Sequence, residues 1–541
     1  MLGQMMKLPL SIPSLIRHAD RWHGDTAIVT RLTEGGIHRQ DWHETHRRAR
    51  RLASALATLG VQAGQRVGTL AWNNHRHLEI YYAVSGSASI CHTINPRLFP
   101  DQVAWIVNDA EDQYVFFDLT FLKLVEAIAP KCPKVRGWVA LTDRAHMPQS
   151  ALPLLCYEEV IAKGDDTFEW PPIDEDLASS LCYTSGTTGN PKGALYSHRS
   201  TVLHSFAVCM PDSFGLASRE VVLPVVPMFH VNAWGIPYAA AMAGVKLVMP
   251  GPNLDGASLF ELFETEGVTL SAGVPTVWLA LLQHMEKNSL EPSTLKRVII
   301  GGAAAPPSMI RTFRERYGVD VVHAWGMTEM SPLGTLNTFK SKHTGWDDAR
   351  RDALREKQGR PLFGVDLRIV GGDGKELAHD GVAFGDLEVR GHWVIRSYFN
   401  APDKEILHDG WFPTGDVSTI DPDGYMKITD RSKDVIKSGG EWISSIDIEC
   451  FAMAHPEVAE AAVIGVKHPK WDERPVLVVV RKPGTALTRE ALLKSLEGKI
   501  AKWWMPDDVL FVEALPHTAT GKLSKLELRK QLADYRLPVN A

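Results

Sequence analysis

Cysteine is scarce in these 541 residues: there are six, at positions 91, 132, 156, 182, 209 and 450, and no two form a C-x-x-C pair. That scatter argues against a disulfide or redox framework and for free thiols in a reducing compartment. Long apolar runs are also missing. The longest, Ile236 to Met249, has 14 residues and contains Lys246, too short and too polar to span a bilayer. The opening MLGQMMKLPLSIPSLIRHAD has neither the apolar core nor the small-residue cleavage site of a signal peptide. There is no excess of positive charge. Lys+Arg number 58 against Asp+Glu 64, a net charge of −6, so nothing points to nucleic acid or an anionic membrane surface as main partner. No internal repeat and no low-complexity segment is visible. A soluble, cytoplasmic chain is expected, long enough for more than one domain and a large core.

The pattern along the chain gives its organisation. Asp41-Trp-His-Glu44 reads as a capping box, opening a helix with Ala49, Leu52, Ala53, Leu56 and Leu59 on one face. Arg47, Arg48, Arg50 and Arg51 fall mostly on the other side and read as a solvated face rather than a basic patch. Short β-rich runs then alternate with helical stretches: Val67 to Ala71, Tyr114 to Asp118, Ala178 to Tyr183, Val221 to Val226, Val245 to Met249 and Arg297 to Gly301. That rhythm means βαβ units and parallel sheet. Gly- and Asp-rich turns from Gly364 to Gly391 suggest an antiparallel, barrel-like piece. After Asp430 the character changes again, and residues 431 to 541 suit a small separate domain with β runs at Ala461 to Val466 and Val476 to Val480.

The densest chemistry lies in YTSGTTGNPKG, Tyr183 to Gly193. Glycines leave backbone N–H groups uncovered, and the hydroxyls and one lysine add donors and charge, which is what a polyphosphate requires. The spacing is not that of a Walker A loop, since Pro191 stands where Gly-Lys-Ser/Thr would be needed. Composition alone allows a flexible turn. The string itself resembles the phosphate loop of the adenylate-forming enzymes: acyl-CoA synthetases, aryl-CoA ligases, luciferases and peptide-synthetase adenylation domains. The resemblance implies that Thr184, Ser185, Gly186, Thr187, Thr188 and Lys192 surround the phosphates of ATP. It also implies an α/β fold with a large N-terminal domain, residues 1–429, of two doubly wound α/β subdomains plus a small β-barrel. A small mobile α+β domain, residues 430–541, would follow, hinged at Asp430.

Further motifs extend the resemblance over nearly the whole chain. GGAAAP, Gly301 to Pro306, is by itself a small-residue loop; in the family the matching loop lines adenine and acyl chain, here Gly301, Gly302, Ala303 and Ala304. HAWGMTE, His323 to Glu329, would place Trp325 on adenine, with His323, Ala324, Gly326 and Met327 around it. Thr328 would face the α-phosphate, and Glu329, with Thr184, would hold Mg²⁺, a cation that favours carboxylate oxygen beside phosphate. Without the resemblance, Trp325 reads as core and Glu329 as a surface acid. WFPTGD, Trp411 to Asp416, resembles the motif whose aspartate reads the ribose diol, for which a carboxylate accepting two O–H bonds is suited. Ile428 and Arg431 would complete that nucleotide site. Lys437, Ser438, Gly439, Gly440, Glu441 and Trp442 form the loop that the acyl-CoA synthetase branch presents to CoA. In PHTATGKLSKLELRK, Lys522 matches the lysine that bridges carboxylate and α-phosphate, screening their repulsion in the transition state; alone it reads as a solvated lysine.

PMFHVNAWG, Pro227 to Gly235, resembles one wall of the acyl pocket. His230, Val231 and Trp234 would line it with Gly301, Gly326, Pro332 and Leu333, and Trp234 is either the gate of fatty acyl-CoA synthetases or an ordinary core residue. His230 stands where amino-acid-activating domains carry an aspartate, and the chain leaves no room after Lys522 for a carrier domain; both argue against a peptide synthetase. The resemblance thus implies an ATP-, Mg²⁺- and CoA-dependent carboxylic acid:CoA ligase forming AMP and pyrophosphate, a homodimer, with Lys522, Glu329, Thr184 and His230 at the reacting centre. The lining offers no fixed cation for a second carboxylate, which favours a short- to medium-chain monocarboxylate such as a medium-chain fatty acid or 3-methylmercaptopropionate. An aryl acid stays open, as does a non-catalytic nucleotide- or acyl-binding protein of the same fold.

Overall fold

The computed structural model describes residues 1–184, 190–438, 443–517 and 523–537, with 441–442 in backbone only. Two extended sheets carry the large N-terminal part. In the seven-stranded sheet the order is Leu154–Cys156, Gly137–Ala140, Tyr114–Phe117, Arg66–Leu70, Ile90–Thr93, Ala178–Tyr183 and Gly193–Ser197. All its pairings are parallel except the last. Strands such as Ile90–Thr93 and Tyr114–Phe117 are buried at every residue, as expected where helices cover both faces. The nine-stranded sheet runs from Arg360–Pro361 through Leu333–Leu336, Asp320–Gly326, Arg297–Ile300, Leu270–Gly273, Val221–Pro224, Lys246–Met249 and Ala27–Arg31 to Ile37–Asp41. The apolar run Ile236 to Met249 splits at Gly244 into a helix, Ile236–Ala243, and the strand Lys246–Met249. Among the described residues no helix is long and apolar enough to cross a membrane.

The barrel-like piece takes the form of a four-stranded antiparallel sheet in the order Val365–Val370, Phe384–Gly391, Phe412–Ile420 and Met426–Arg431. From Ile436 onward the chain builds its own sheet, in which Val458–His468 pairs antiparallel with Asp472–Arg481, and helices Ser445–Met453 and Arg489–Leu496 pack over it.

The helix opening at Trp42 runs to Thr58, with the Asp41 carboxylate accepting from the Glu44 N–H. Its arginines correct the expectation of a solvated face. Arg48 Nε lies 2.8 Å from the fully buried Glu79 and its Nη2 3.0 Å from Glu158, which Arg76 also reaches at 2.9 Å. Arg47 pairs with Glu44 and Arg51 with Asp166. Glu44 is the i,i+3 neighbour of Arg47 on the same helix, but Glu79, Glu158 and Asp166 come from distant positions in the chain, so the one-dimensional pattern of the helix could not reveal that its basic side is an interface.

Candidate active site

Strands Ala178–Tyr183 and Gly193–Ser197 pair antiparallel with Tyr183 opposite Gly193. The Thr184 N–H donates to the Lys192 carbonyl at 2.9 Å, so the glycine-rich segment opens and closes at one point on the sheet edge. Across from it, Arg297–Ile300 ends in Gly301-Gly302, and its parallel neighbour Asp320–Gly326 ends at Met327, Thr328 and Glu329. Parallel sheets place sites at such carboxyl ends. Between them lies a cavity of about 410 Å³ bordered by Thr184, Lys192, Trp325, Thr328, Glu329 and Arg431. Its apolar end is formed by His230, Val231, Trp234, Gly301, Gly326, Pro332 and Leu333. Lys433, Asp434 and Leu523 border it from the C-terminal part.

Two glycines are required by close approach. A Cβ at Gly326 would stand 2.0 Å from the Pro332 carbonyl oxygen, and one at Gly301 would stand 3.0 Å from the Trp234 ring. The second contact fixes where the Trp234 indole ends. Val231, Asn232, Ala233 and Trp234 all have positive φ, 48–56°, a left-handed turn of four non-glycine residues. Such residues rarely adopt this conformation, at about 1–2 kcal/mol each. Buried hydrogen bonds hold the turn: the Asn232 amide donates to Ser180 Oγ at 3.0 Å, and its oxygen accepts from Tyr81 at 3.3 Å and Cys182 at 3.5 Å. His204 packs behind it. Burial depresses its pKa to about 3, so the imidazole is neutral and Nε2 accepts from the Leu333 N–H at 3.3 Å.

Glu329 is 7% exposed. Burial raises its carboxyl pKa, opposed by the Tyr398 hydroxyl and by the Arg431 and Lys192 charges. Tyr398 donates to Oε1 at 2.8 Å, and Lys192 Nζ lies 4.9 Å from the Tyr398 ring centre. Asp416, 3% exposed, does not border the cavity but pairs with two groups that do: Arg431 Nε at 2.7 Å and the Trp325 indole N–H at 2.9 Å. Among the described residues no group of three or more His, Cys, Asp or Glu side chains could hold a metal ion. Glu329 with the Thr184 hydroxyl nevertheless fits Mg²⁺, which takes one or two protein oxygens and completes its shell with phosphate and water.

Other expected residues stand back from the cavity. His323 is buried with its pKa lowered to about 4 by burial, and its Nε2 lies 3.4 Å from the Ala305 N–H. Ala303, Ala304 and Ile428 do not border the cavity; the Ile428 N–H donates to Gln358 at 2.6 Å. Lys437 and Ser438 lie on the strand Ile436–Ser438, where Arg474 donates to the buried Ser438 hydroxyl at 3.3 Å. Asp430 is the penultimate residue of the strand Met426–Arg431, its Oδ2 accepting the Ser445 N–H at 2.9 Å. Ser185, Gly186, Thr187, Thr188, Gly439, Gly440 and Lys522 lie outside the described residues, as do the side chains of Glu441 and Trp442. Tyr398, Asn190, Thr414, Lys433, Asp434 and Leu523 border the cavity without having been singled out from sequence. For Asp434 and Leu523 the signal was adjacency to Arg431 and Lys522; for Tyr398 there was none.

Residues 15–399 match the model of the AMP-binding enzyme family, and residues 447–522 that of the AMP-binding enzyme C-terminal domain. The chain is 59% identical over 535 residues to a 3-methylmercaptopropionyl-CoA ligase of Ruegeria lacuscaerulensis, covering 99% of both chains. It is 52% identical over 538 residues to a medium-chain-fatty-acid–CoA ligase of Ectopseudomonas oleovorans, covering 99% of this chain and 98% of that one. Among solved structures it resembles an anthranilate CoA ligase in complex with anthranoyl-AMP, with a TM-score of 0.86 at 25% identity over 98% of this chain and 100% of the other.

Proposed function

The chain belongs to the AMP-binding enzyme family as an adenylate-forming acyl-CoA ligase, and from that premise we propose that it activates a short- to medium-chain monocarboxylate, 3-methylmercaptopropionate or a medium-chain fatty acid. The observation that carries this is the single cavity joining a phosphate-binding end, Thr184, Lys192 and Glu329, to an apolar end closed by Trp234. Among the described residues that line the apolar end there is no lysine or arginine, so a second carboxylate meets no ammonium or guanidinium there. One methylene or thioether is worth only ~1–3 kcal/mol in such a pocket, which is why relatives acting on the two acids can be so similar in sequence.

In the first half-reaction a carboxylate oxygen attacks the α-phosphorus of ATP. A C–O–P bond forms, the α–β P–O bond breaks, and pyrophosphate leaves with both electrons of that bond. Trp325 and Gly302 border the nucleotide, the Asp416–Arg431 pair takes the ribose, and Thr184, Thr328 and Lys192 hold phosphate oxygens. Glu329 and Thr184 would hold Mg²⁺, which when bound would supply positive charge to the phosphates. Lys522 screens carboxylate from phosphate; its chain neighbour Leu523 borders the same cavity, which supports this assignment. In the second half-reaction the CoA sulfur attacks the acyl carbon, the thiol proton passes to solvent, and AMP departs. For this the small domain, residues 430–541, turns about Asp430 and brings the Lys437 to Trp442 loop to the tunnel. Six unpaired cysteines support a cytoplasmic location. The homodimer is the family's habit and is checked by light scattering.

The test is pyrophosphate release from Mg·ATP against acids from acetate to palmitate, with 3-methylmercaptopropionate, cinnamate and benzoate, with and without CoA. Release within one chain-length window, and full turnover only with CoA, is expected. Silence across the panel from protein that binds ATP would leave a non-catalytic binder. Lys522→Ala is expected to lose adenylation by about 10²–10³-fold and to keep thioester formation from supplied acyl-adenylate.

A further inference from the structure

The apolar end of the cavity is braced from behind by two buried rings that do not border it. His204 is 1% exposed and Trp393 3%. They meet edge to face, with ring centres 5.7 Å apart and planes at 86°. Between them they take both backbone groups of Leu333. The Leu333 N–H donates to His204 Nε2 at 3.3 Å, and the Leu333 carbonyl accepts from the Trp393 indole N–H at 2.8 Å. Two further bonds run along the same stretch: the Ser331 hydroxyl donates to the Trp393 carbonyl at 3.1 Å, and the Ile395 N–H to the Glu329 carbonyl at 2.9 Å. The segment Trp393 to Ile395 therefore lies against Glu329 to Leu333, which carries the wall from the phosphate-binding end to the apolar end. His204 also touches the turn that carries Trp234. Because Nε2 accepts, the neutral ring bears its proton on Nδ1, and a Cβ at Gly235 would stand 2.6 Å from that atom. Gly235 closes the turn, so one imidazole spaces it from Leu333. The Trp393 ring is itself closely packed, since a Cβ at Gly364 would stand 2.7 Å from the indole.

We propose that His204 and Trp393 are specificity-determining positioning residues: by holding the Leu333 backbone, and His204 the Gly235 turn beside it, they set the depth of the acyl end and so the longest acid accepted. The proposal rests on the reading of that end as the acyl pocket given above. The acid touches Leu333 and Trp234, not the two rings behind them. A wall in a close-packed interior keeps its place while the space behind it is filled and its polar groups are paired. Shrinking Trp393 leaves a void and an unpaired Leu333 carbonyl, and Leu333 moves back into the void. Replacing His204 by an apolar side chain orphans the Leu333 N–H in the same way. The Ile395–Glu329 bond joins backbone to backbone, so neither change removes it, and the phosphate-binding end keeps its geometry.

The experiment measures pyrophosphate release from Mg·ATP over saturated acids from acetate to palmitate, for the parent protein, Trp393→Phe, His204→Leu, His204→Gln and Trp234→Ala. For Trp393→Phe and His204→Leu, kcat/KM for the first acid beyond the parent's window, relative to the parent's best acid, is expected to rise about tenfold or more, while KM for ATP stays within about threefold. His204→Gln, whose side-chain oxygen can accept the Leu333 N–H, is expected to keep the parent's window. Should His204→Leu not fold, the more conservative Trp393→Phe decides. An unchanged window in folded protein, or a loss equal for every acid, overturns the proposal. A His204→Gln window displaced as far as that of His204→Leu overturns the part assigned to the Nε2 bond. Trp234→Ala separates the two layers. If it leaves the window where it was, the reading of the apolar end as the acyl pocket fails; if it moves the window and Trp393→Phe and His204→Leu do not, only the inference about the two rings fails.

Discussion

Glu329 must be ionised to hold a cation, yet it sits where burial favours its neutral form. The Tyr398 O–H at 2.8 Å is the strongest of the influences opposing that rise. Tyr398→Phe removes the bond and little volume. The carboxyl pKa then climbs further, so the ionised form is lost at a higher pH as the solution is acidified. The acid limb of the kcat/KM profile for adenylation is expected to move to higher pH, with a loss of about two- to tenfold on that limb and near-parent activity on the alkaline plateau. A uniform drop at all pH values would mean that Tyr398 acts through packing or through the Lys192 stack instead. Tyr398 was also the residue least accessible to sequence reasoning. It follows the strand Phe384–Gly391 in an unremarkable SYFN segment, and only the fold brings it from sixty-nine positions away onto Glu329.

At the scale of elements, the turn Val231–Gly235 is the unusual piece. Asn232→Ala removes the amide that donates to Ser180 and accepts from Tyr81 and Cys182; Tyr81 keeps the Met228 carbonyl and Cys182 the Thr93 hydroxyl, while the buried Ser180 Oγ loses this donor. A loss of about 2–4 kcal/mol in unfolding free energy is expected, read by denaturant melts. The turn that holds Trp234 against Gly301 loosens with it, so the ratio of rates for long over short acids should rise; an unchanged chain-length profile would show that Trp234 is held by its other packing. The strands were legible because burial on both faces leaves marks in local composition, whereas the cavity's glycines, Trp234 and Glu329 were picked out by the motif resemblance. Ala178–Tyr183 is found with the bounds expected of it, and Gly301, Gly326, Trp234 and Glu329 meet in one cavity. The left-handed turn was not legible, since VNAW contains no glycine and its conformation is imposed by partners fifty and more positions away. Arg48 and Arg51 of Trp42–Thr58 failed for the same reason: their acids, Glu79, Glu158 and Asp166, lie elsewhere in the chain.

For the whole molecule, the demand is that one cavity serve two displacements with different nucleophiles and leaving groups. The described arrangement has Leu523 on the cavity and Lys437 and Ser438 away from it, which is the disposition that the proposed roles of Lys522 and the CoA loop would require for adenylation. The strands Ile436–Ser438 and Glu441–Ile443 pair with Ser438 opposite Glu441, and Gly439 and Gly440 stand between them in sequence. If that segment reaches the CoA tunnel only after rotation about Asp430, Gly440→Leu should spare pyrophosphate release and depress thioester formation by about tenfold or more, the complement of Lys522→Ala. Single-turnover rates of the two half-reactions, measured on both variants, test this directly. Intact thioester formation by Gly440→Leu would remove the CoA-tunnel assignment. Loss of adenylation by the same variant would show that the segment also matters in the described arrangement, and the two-state division of the site would then be wrong.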